Sequence, residues 1–478
     1  MWNFINECLL NHLSSTIKDG DLLFSYAQII DLTKRHGQIL KSILKPKLKC
    51  AILCNSGLNA TIALLSCWYA ELIAIPMSKN YGPKHYEQII SLTGPSVIIT
   101  DCNDINYNCT YNLNTYSFSG DAILYDSESL LSDVAVIMCT SGTTGKPKGT
   151  MITETGLKNN ILAIDRYFKI NFSDIILIAR PIYHCAVLTG ELLISLYKGV
   201  NIVFYNAVYN PMSVVTYAER CQITTLCGTP TLLRHISQFI KRSNKSLSII
   251  NIAISGECLN RETAKKIRDA FPTANIYNVY GLTEAAPRVS YLPPIEFDCY
   301  PESVGYPLNG VEIKIVDKKT GEELLNNTHG IVFVSSPCLM KGYYRNPELS
   351  NDTVRNGWLN TRDIGYKDED GRLYILSRAD DMIIKAGMNI YPKEIENAIG
   401  TIPEIAECMA YREKSTNGDS IVVDLVLNNV NEDSEVKLLM QKVKNILPDY
   451  LMPSKINIVK SLSRNASGKI VRYRDTVI

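Results

Sequence analysis

The alternation of apolar and amphipathic segments between residues 50 and 290 is the feature that most restricts the fold of this chain. Short apolar runs typical of buried strands occur at residues 50–54, 96–100, 175–178 and 201–205. Segments whose apolar residues have helical spacing lie between them, as at residues 58–70 and 261–271. Alternation of this kind predicts an α/β fold with mostly parallel sheets flanked by helices.

The pattern changes after residue 305. Residues 305–334 hold short alternating strands separated by turns, which predicts a small antiparallel β unit. A charged hairpin turn over residues 368–372 precedes a further strand. The remaining stretch of roughly 100 residues predicts a compact α+β unit with helices near residues 392–399 and 434–446. We therefore expect a large N-terminal domain followed by a small C-terminal one.

The composition is that of a soluble globular protein, and the chain is too long for a single ordinary core. It has 478 residues, of which 46% are hydrophobic and 20% are charged, and this size predicts two or more domains. With 49 basic and 48 acidic residues the net charge is +1. Charge therefore indicates neither a nucleic acid nor an anionic membrane surface as a partner.

No segment is typical of a signal peptide or a membrane span. The first seven residues lack the basic region of a signal peptide. The best membrane candidate, residues 60–77, carries three polar side chains and ends in Ile75-Pro76, which predicts a buried helix followed by a strand. The fourteen cysteines are scattered without a Cys-x-x-Cys pair and indicate buried thiols in a reducing compartment. We therefore predict a cytoplasmic protein.

The stretch from Cys139 to Thr150, CTSGTTGKPKGT, follows an apolar run over residues 134–138 that is typical of a buried strand. Its glycines let the main chain pass close to an anion, and its N–H groups, hydroxyls and lysines can surround phosphate oxygens. The spacing differs from that of a Walker A loop, because Lys146 is followed by proline. A turn rich in Gly, Ser and Thr is by itself often only a flexible loop.

The Pro-Lys-Gly ending of this stretch closely resembles the phosphate loop of the adenylate-forming superfamily. Acyl- and aryl-CoA synthetases, nonribosomal-peptide adenylation domains and luciferases belong to that superfamily. The resemblance implies that the β- and γ-phosphates of ATP are held by Thr140, Ser141, Gly142, Thr143, Thr144, Gly145 and Lys148. Four further motifs match in the same order as far as residue 469.

The second motif runs from Asn278 to Ala286 and contains Tyr-Gly-x-Thr-Glu. An aromatic ring, a hydroxyl and a carboxylate in this order offer a face for a purine, a donor for a phosphate and an oxygen ligand for Mg²⁺. The same pattern also suits a strand that ends in a capped helix. The resemblance implies that Tyr280 stacks on adenine, Thr283 contacts the α-phosphate and Glu284 binds Mg²⁺. It places Asn278 and Gly281 in the same adenine site.

The third motif pairs Asp363 with Arg378, fifteen residues later. The two oxygens of a carboxylate can accept both hydroxyls of a ribose, although an isolated Asp-x-Gly is often only a turn. The order Gly-Trp-Leu-x-Thr-x-Asp-Ile-Gly, hairpin, Ser-Arg is similar to that of the superfamily and implies ribose binding. Arg362 departs from the pattern, because relatives usually carry glycine there.

The last two motifs lie at the predicted domain boundary and within the predicted C-terminal domain. Residues 378–387 resemble the superfamily hinge, which implies rotation about Asp380 and a path for the thiol beside Gly387. Lys469 lies in Asn-Ala-Ser-Gly-Lys-Ile and by itself suits a solvated surface lysine. The resemblance instead implies that Lys469 bridges the carboxylate and the α-phosphate. We therefore predict a large domain over 1–377, a hinge over 378–380 and a small mobile domain over 381–478.

The substrate pocket is less well determined. His184 matches a residue that many acyl- and aryl-CoA synthetases place over the acyl pocket, although a half-buried structural histidine fits equally well. The predicted pocket consists of His184, Cys185, Leu188, Gly228, Gly281 and Ala285, and the predicted adenine site also includes Ser255, Gly256 and Glu257. Amino-acid-activating relatives usually place an aspartate shortly after His184. Residues 185–190 contain none, although Glu191 follows, so a fatty, small organic or aryl acid is favoured.

The resemblance implies an acid–thiol ligase with two half-reactions. A carboxylic acid and MgATP give an acyl-AMP and pyrophosphate, and the acyl group then passes to CoA or to the phosphopantetheine of a separate acyl or peptidyl carrier protein. Lys469, Thr283, Glu284 and His184 are the predicted catalytic residues. An amino-acid-activating carrier-protein ligase is the main alternative, and a luciferase-like oxygenase or a non-catalytic nucleotide-binding protein are others.

Overall fold

Strands and helices alternate along most of the chain. The computed structural model describes residues 1–78, 82–122, 128–141, 147–207, 210–385, 388–415, 418–428, 433–463 and 472. Within these ranges the strands are β1 (Thr16–Asp19), β2 (Leu22–Ser25), β3 (Lys49–Leu53), β4 (Ile73–Pro76), β5 (Val97–Thr100), β6 (Thr110–Asn112), β7 (Ser117–Ser119), β8 (Val134–Ser141), β9 (Pro147–Thr153), β10 (Ile175–Ile178), β11 (Asn201–Phe204), β12 (Thr225–Gly228), β13 (Asn251–Ser255), β14 (Asn275–Gly281), β15 (Arg288–Leu292), β16 (Tyr306–Pro307), β17 (Glu312–Val316), β18 (Gly330–Ser335), β19 (Gly342–Tyr343), β20 (Val354–Arg355), β21 (Trp358–Lys367), β22 (Leu373–Arg378), β23 (Ile383–Lys385), β24 (Met388–Ile390), β25 (Ile405–Ser415), β26 (Gly418–Leu427) and β27 (Lys455–Ile458).

Thirteen α-helices lie before or between these strands in the described ranges. They are α1 (Trp2–Leu10), α2 (Tyr26–Ile43), α3 (Gly57–Tyr69), α4 (Pro83–Thr93), α5 (Glu154–Tyr167), α6 (Cys185–Val187), α7 (Ile194–Lys198), α8 (Pro211–Arg220), α9 (Pro230–Ser243), α10 (Arg261–Ala270), α11 (Pro347–Thr353), α12 (Pro392–Ile399) and α13 (Asp433–Ile446). A π-helical turn over Leu188–Leu193 joins α6 to α7, and a 3₁₀ turn follows β14 at Thr283–Ala285.

The largest sheet has nine strands in the order β16-β15-β14-β13-β12-β10-β11-β1-β2. The pairs from β14 to β1 are parallel, and antiparallel strands lie only at the two ends. A second sheet follows the order β19-β9-β8-β4-β3-β5-β6-β7, and its central pairs are also parallel. Mostly parallel sheets require helical crossovers, as the alternating sequence pattern predicts.

Three smaller sheets complete the described secondary structure. The first follows the order β17-β18-β21-β20 with β22 beside β21, the second pairs β23 with β24, and the third follows the order β25-β26-β27. β21 and β22 form the antiparallel hairpin that the charged turn over residues 368–372 predicts. The predicted small antiparallel β unit corresponds to β17, β18 and the bridge between Val316 and Glu323.

The chain divides into two compact units. The first comprises Met1–Gly256, Lys266–Ile313 and Val334–Asn360, and the second comprises Glu257–Lys265, Lys314–Phe333 and Thr361–Ile478. In the first unit, strands β3, β4, β5 and β8 contribute fully buried side chains such as Ile73, Ile98 and Ile137 to one core. In the second unit, α12, α13, β25 and β26 enclose a core that includes Ile395, Ile421 and Val443.

Local sequence signals explain how single elements begin. The hydroxyl of Thr229 accepts a hydrogen bond from the N–H of Leu232, and Pro230 occupies the first turn of α9. A hydroxyl cap followed by proline is a strong start signal for a helix. β12 therefore ends at Gly228, directly before α9. In parallel sheets, ligands bind outside such carboxyl ends of strands.

Two predicted segments extend further as strands than the sequence pattern suggests. β8 includes Thr140 and Ser141, which the sequence places in the phosphate loop. β14 includes Tyr280 and Gly281, where the sequence predicts a glycine turn, and its register shifts between these two residues. In both cases pairing with an antiparallel neighbour, β9 or β15, continues the strand.

All fourteen cysteines lie in described parts of the chain and have free thiols. Eight are buried, five are half-buried and Cys299 is exposed, so the prediction that they are buried thiols holds only for the majority. None of the helices in the described ranges is long and apolar enough to cross a membrane.

Candidate active site

The predicted phosphate loop connects β8 to β9. These strands pair antiparallel, with Thr140 opposite Lys148 and Ser141 opposite Pro147. The predicted ligands between them, Gly142, Thr143, Thr144 and Gly145, lie outside the described residues. The hairpin therefore places the two ends of the loop next to each other, with the half-buried Lys148 at its far end.

Tyr343 brings Lys148 and Glu284 together. The Nζ of Lys148 lies 5.4 Å from the centroid of the Tyr343 ring, and the Tyr343 hydroxyl donates a hydrogen bond to Glu284 Oε1 at 2.7 Å. The N–H of Met340 donates to the carbonyl oxygen of Glu284 at 2.8 Å, which fixes its main chain. Mg²⁺ prefers carboxylate oxygens, and a hydrogen-bond donor behind a ligand fixes its orientation. Glu284 therefore fits the predicted metal role.

Sequence reasoning did not identify Tyr343. Its signal is the short run Gly342-Tyr343-Tyr344 before a polar turn, and glycine and polar residues of this kind are common in turns of any function. The structure gives it a place beside the phosphate loop, because Tyr343 in β19 pairs with Thr150 in β9.

Three strands that carry predicted acyl-pocket or adenine-site residues end at one edge of the nine-stranded sheet. β12, β13 and β14 are parallel neighbours, and their last residues are Gly228, Ser255 and Gly281. Ligands of parallel sheets bind outside the carboxyl ends of the strands. Ser255 is 3% exposed, and its Oγ has no hydrogen-bond partner among the described residues. A buried hydroxyl without a partner is consistent with the predicted role of Ser255 in the adenine site.

Two glycines at this edge are required by the main chain. A Cβ on Gly281 would lie 2.4 Å from the carbonyl oxygen of Pro287, so only glycine permits this close approach. Gly256 has a φ of +95°, which L side chains rarely adopt. Their positions in the predicted adenine site thus follow from backbone geometry as well as from any ligand.

Asn278 has a structural role in addition to its predicted one. It is 1% exposed, and its Nδ2 donates to the carbonyl oxygens of Pro301 at 3.1 Å and Ser303 at 2.8 Å. Both N–H donors of this nitrogen are occupied, so contact with the nucleotide through it would cost at least one of these hydrogen bonds. Tyr280 is half-buried at the end of β14, and Thr283 begins the 3₁₀ turn that carries Glu284.

Three of the predicted acyl-pocket residues, His184, Cys185 and Leu188, lie in or next to α6. His184 is half-buried directly before α6, and its ring centroid lies 4.5 Å from that of Tyr183. Leu188 and Ala285 are fully buried. Burial, with a smaller contribution from the charge of Glu284, raises the pKa of the Cys185 thiol to about 12. Cys185 therefore stays a neutral, apolar lining residue at physiological pH.

Three predicted nucleotide ligands, Glu257, Asp363 and Arg378, belong to the second unit. Asp363 and Arg378 are opposite each other in β21 and β22, and Arg378 Nη1 donates to Asp363 Oδ1 at 2.9 Å. The Asp363 side chain is 9% exposed, and the main chain of Asp363 is fixed by Thr361, whose Oγ1 accepts from its N–H at 3.0 Å. Glu257 is half-buried. The Asp363 carboxylate, the predicted ribose ligand, is thus held in a fixed position by Arg378 and Thr361.

Arg362, which departs from the superfamily pattern, has a φ of +60°. A non-glycine residue in this left-handed region costs roughly 1–2 kcal/mol, which explains why glycine suits the position. The conformation is held by a main-chain bond in which the Ala379 N–H donates to the Arg362 carbonyl oxygen at 2.8 Å.

The predicted hinge is a single turn. The N–H of Asp381 donates to the carbonyl oxygen of Arg378 at 3.1 Å, so Ala379 and Asp380 are the two central residues of a β-turn. Gly387, the predicted thiol path, and Lys469, the predicted catalytic lysine, lie outside the described residues.

Arg472, three residues after Lys469, is anchored within the second unit. Its Nη1 donates to Glu396 Oε1 and, at 2.8 Å, to the Ala410 carbonyl oxygen, while Nη2 donates to Glu396 Oε2 at 3.0 Å. Its Nε lies 3.5 Å from Asp381 Oδ2, next to the hinge turn. Burial opposes the charge, yet the Glu396 carboxylate holds the pKa of Arg472 above its usual value. Sequence reasoning missed this anchor, because a lone arginine in a tail carries no signal.

Comparison with known families gives two matches. A family model described as AMP-binding enzyme matches residues 13–344, and a model described as AMP-binding enzyme C-terminal domain matches residues 394–469. The first model alone spans well over half of the chain.

Similar curated proteins and solved structures cover nearly the whole chain. A feruloyl-CoA synthase of Amycolatopsis is 26% identical over 96% of this chain and 94% of its own. A 2-succinylbenzoate–CoA ligase of Bacillus licheniformis is 28% identical over 95% of each. The structure of an o-succinylbenzoate coenzyme A synthetase from Bacillus subtilis, in complex with ATP and magnesium, matches with a TM-score of 0.84 at 25% identity and covers 98% of both chains. These similarities confirm the predicted fold class.

Proposed function

Because this chain belongs to the AMP-binding enzyme family, we propose that it activates a carboxylic acid with ATP and then transfers the acyl group to a thiol. The acceptor is CoA or the phosphopantetheine arm of a separate carrier protein. The observation that carries the proposal is the joint position of Glu284, Tyr343 and Lys148, which couples the predicted metal ligand to the phosphate-loop hairpin.

The family match confirms the predicted resemblance to adenylate-forming enzymes. The curated relatives that cover nearly all of the chain are named CoA synthases and ligases, so the predicted enzyme class, an acid–thiol ligase of the AMP-forming type, is confirmed. ATP and Mg²⁺, the predicted cofactors, are bound in a solved relative. A cytoplasmic location remains part of the proposal.

In the first half-reaction a carboxylate oxygen of the acid attacks the α-phosphorus of ATP, and the bond to pyrophosphate breaks. In this proposal Lys148 and the loop over 140–145 bind the outer phosphates, Thr283 binds the α-phosphate, and the bridging role between the α-phosphate and the carboxylate is assigned to Lys469. Bound Mg²⁺, held by Glu284, neutralises charge on the phosphates. No side chain forms a covalent bond, so catalysis depends on positioning and on fixed charge.

In the second half-reaction the thiol attacks the carbonyl carbon of the acyl-AMP, and AMP leaves with the bonding electrons. The proposed ribose ligand that keeps the acyl-AMP bound is the Asp363 carboxylate, which accepts a hydrogen bond from Arg378 Nη1. The turn at Ala379-Asp380 is the proposed hinge between the domains 1–377 and 381–478, with the thiol passing beside Gly387. A turn of two central residues can absorb a large change in φ and ψ.

An organic acid without an amino group is the proposed substrate. Glu191 is the first acidic residue after His184 that could pair with an α-ammonium group, but it is fully buried and forms an ion pair with Arg180. An ammonium group at this point would compete with an arginine that is already in place. This pair supports an organic-acid substrate over the amino-acid-activating alternative.

The test is ATP–pyrophosphate exchange with a panel of aliphatic, aryl and amino acids. We expect label from pyrophosphate to return to ATP with at least one organic acid and not with amino acids. Exchange confined to amino acids would select the alternative function. Absence of exchange with every acid, in protein that still binds ATP, would indicate a nucleotide-binding protein without ligase activity.

Arg472→Met is expected to lower the exchange rate by up to about 100-fold, since a displacement of about 1 Å in a catalytic group can have that effect. Lys469 is three positions before Arg472, so their Cα atoms are at most about 11 Å apart, and loss of the Glu396 anchor frees one end of the segment that carries the lysine. Stopped reactions with the best acid measure this rate.

A positioning role for Arg472 differs from a purely structural one. Thiolysis of a supplied acyl-AMP does not need Lys469, so it should stay within a few-fold of wild type in Arg472→Met. Arg472→Lys, which keeps the charge without the two-point bond, should recover part of the exchange. Equal losses in both half-reactions would show that Arg472 only stabilises the domain.

A further inference from the structure

Arg288 is the largest fully buried side chain among the described residues. It lies at the start of β15, is 2% exposed, and its Nε has no hydrogen-bond partner within the described part of the chain. Burial of a guanidinium without full pairing is strongly unfavourable. In a native structure, an unsatisfied buried group of this kind indicates strain, a catalytic role or a bound water or ion.

Arg288 belongs to a cluster with the fully buried Glu191 and with Arg180, whose side chain is 16% exposed. Arg180 Nη2 bonds to Glu191 Oε1, whereas Arg288 influences Glu191 only by charge. The Nε of Arg180 and the Oε2 of Glu191 are also buried without partners among the described residues. Burial raises the pKa of Glu191. With Glu191 ionised the cluster carries one net positive charge, and with Glu191 protonated it carries two.

The cluster lies among the predicted acyl-pocket residues of the first unit. A Cβ on Gly190 would lie 2.3 Å from Arg288 Nη2, so the guanidinium packs directly on the main chain of the π-helical turn. The charge of Arg288 acts on the buried thiols of Cys185 and of Cys227, the residue before Gly228.

The main chain of the cluster is fixed from the side of α5. Asn160 Nδ2 donates to the Arg288 carbonyl oxygen at 3.0 Å, and the Arg288 N–H donates to Asn160 Oδ1 at 3.2 Å. π-helical turns within α-helices frequently occur at functional sites. Arg288 is thus a rigidly held cation beside the predicted acyl-pocket residues, of which Cys185, Leu188 and Ala285 are buried and carry no charge.

We propose that Arg288 binds a second carboxylate of the substrate, so that the acid activated by this enzyme is a dicarboxylic acid. This inference rests on the proposed function. In the proposed function the reacting carboxylate lies at the α-phosphate, which Thr283 binds, so a second carboxylate of the same molecule is the group left for the Arg288 guanidinium. A guanidinium accepts a carboxylate by two parallel bonds, and one carboxylate cancels the net charge of the cluster when Glu191 is ionised.

Matched acids test the proposal through ATP–pyrophosphate exchange. The panel contains aliphatic and aryl dicarboxylic acids, each beside the analogue in which the second carboxylate is a methyl ester. We expect kcat/KM to favour at least one diacid over its ester by about 100-fold or more, because a site built for a polar group rejects an analogue that lacks it. Arg288→Met should reduce this ratio to near one, with the loss confined to the diacid.

Two variants keep the test clear of folding effects. Arg166→Met makes the same chemical change on the exposed face of α5 and should leave the ratio unchanged. Gly190→Ala should lower the ratio as well, because its methyl group displaces the Arg288 guanidinium, and it serves where Arg288→Met does not fold.

The outcomes distinguish failure of the Arg288 proposal from failure of the proposed ligase function. If esters and monoacids exchange as well as diacids in the wild-type enzyme, the Arg288 proposal is wrong and the ligase function stands. If Arg288→Met abolishes exchange with every acid equally, Arg288 does not select the second carboxylate. If no acid of any kind exchanges, both the proposed function and the diacid inference are wrong.

Discussion

Lys469→Ala is expected to lower the ATP–pyrophosphate exchange rate by about 100- to 1000-fold, the usual effect of removing one group that stabilises developing charge. The carboxylate and the triphosphate are both anionic, so their approach needs a cation between them, and charge accumulates on the transferred phosphoryl group. Thiolysis of a supplied acyl-AMP should fall far less, since the anhydride is already formed. Single-turnover measurements of each half-reaction separate the two effects.

Lys460→Ala is the matched control for this variant. Lys460 is exposed in the same domain, and its loss removes the same charge without removing the proposed contact, so both half-reactions should proceed as in wild type.

Asp380→Pro is the reciprocal variant. Proline at the second central position of the Ala379-Asp380 turn restricts the hinge, so thiolysis should fall more than exchange. Unchanged exchange in Lys469→Ala would show that the resemblance does not extend to this lysine.

The sequence predicts contacts between residues that are close in the chain, and it predicts the location of residues at the ends of neighbouring strands. Asp363 and Arg378 are fifteen residues apart, and a charged hairpin turn between them brings them into register. Ser255 and Gly281 end strands that apolar runs identify, and adjacent parallel strands place their ends at one edge. Local pattern and sheet geometry are sufficient for these contacts.

Contacts between distant segments could not be predicted in this way. Tyr343 is fifty-nine residues from Glu284, and their bond depends on the pairing of β19 with β9. Arg288 precedes a run that reads as an ordinary strand, and nothing in its neighbours indicates that Glu191 and Arg180 lie beside it. Charges of this kind become informative only when burial is known, because the same residues on a surface would be solvated.

Glu284→Gln is expected to lower the exchange rate by about 100-fold or more at low Mg²⁺. The amide is nearly the same size as the carboxylate but lacks its negative charge, so the affinity for the metal falls while the 3₁₀ turn at Thr283–Ala285 keeps its place. Titration of the exchange rate against Mg²⁺ measures the effect. Partial recovery at high Mg²⁺ is expected, because the phosphates of ATP supply the remaining ligands.

Tyr343→Phe isolates the contribution of orientation from that of charge. It removes only the hydroxyl that donates to Glu284 Oε1, keeps the aromatic face beside Lys148, and should lower the apparent Mg²⁺ affinity by about 10-fold, as loss of a partner behind a metal ligand commonly does. The double variant Glu284→Gln/Tyr343→Phe should therefore have nearly the same Mg²⁺ affinity as Glu284→Gln alone, because the tyrosine acts through the carboxylate. If the losses of Mg²⁺ affinity in the two single variants add up in the double variant, Tyr343 contacts the substrate directly. If the exchange rate of Glu284→Gln depends on Mg²⁺ as in wild type, Glu284 is not a metal ligand.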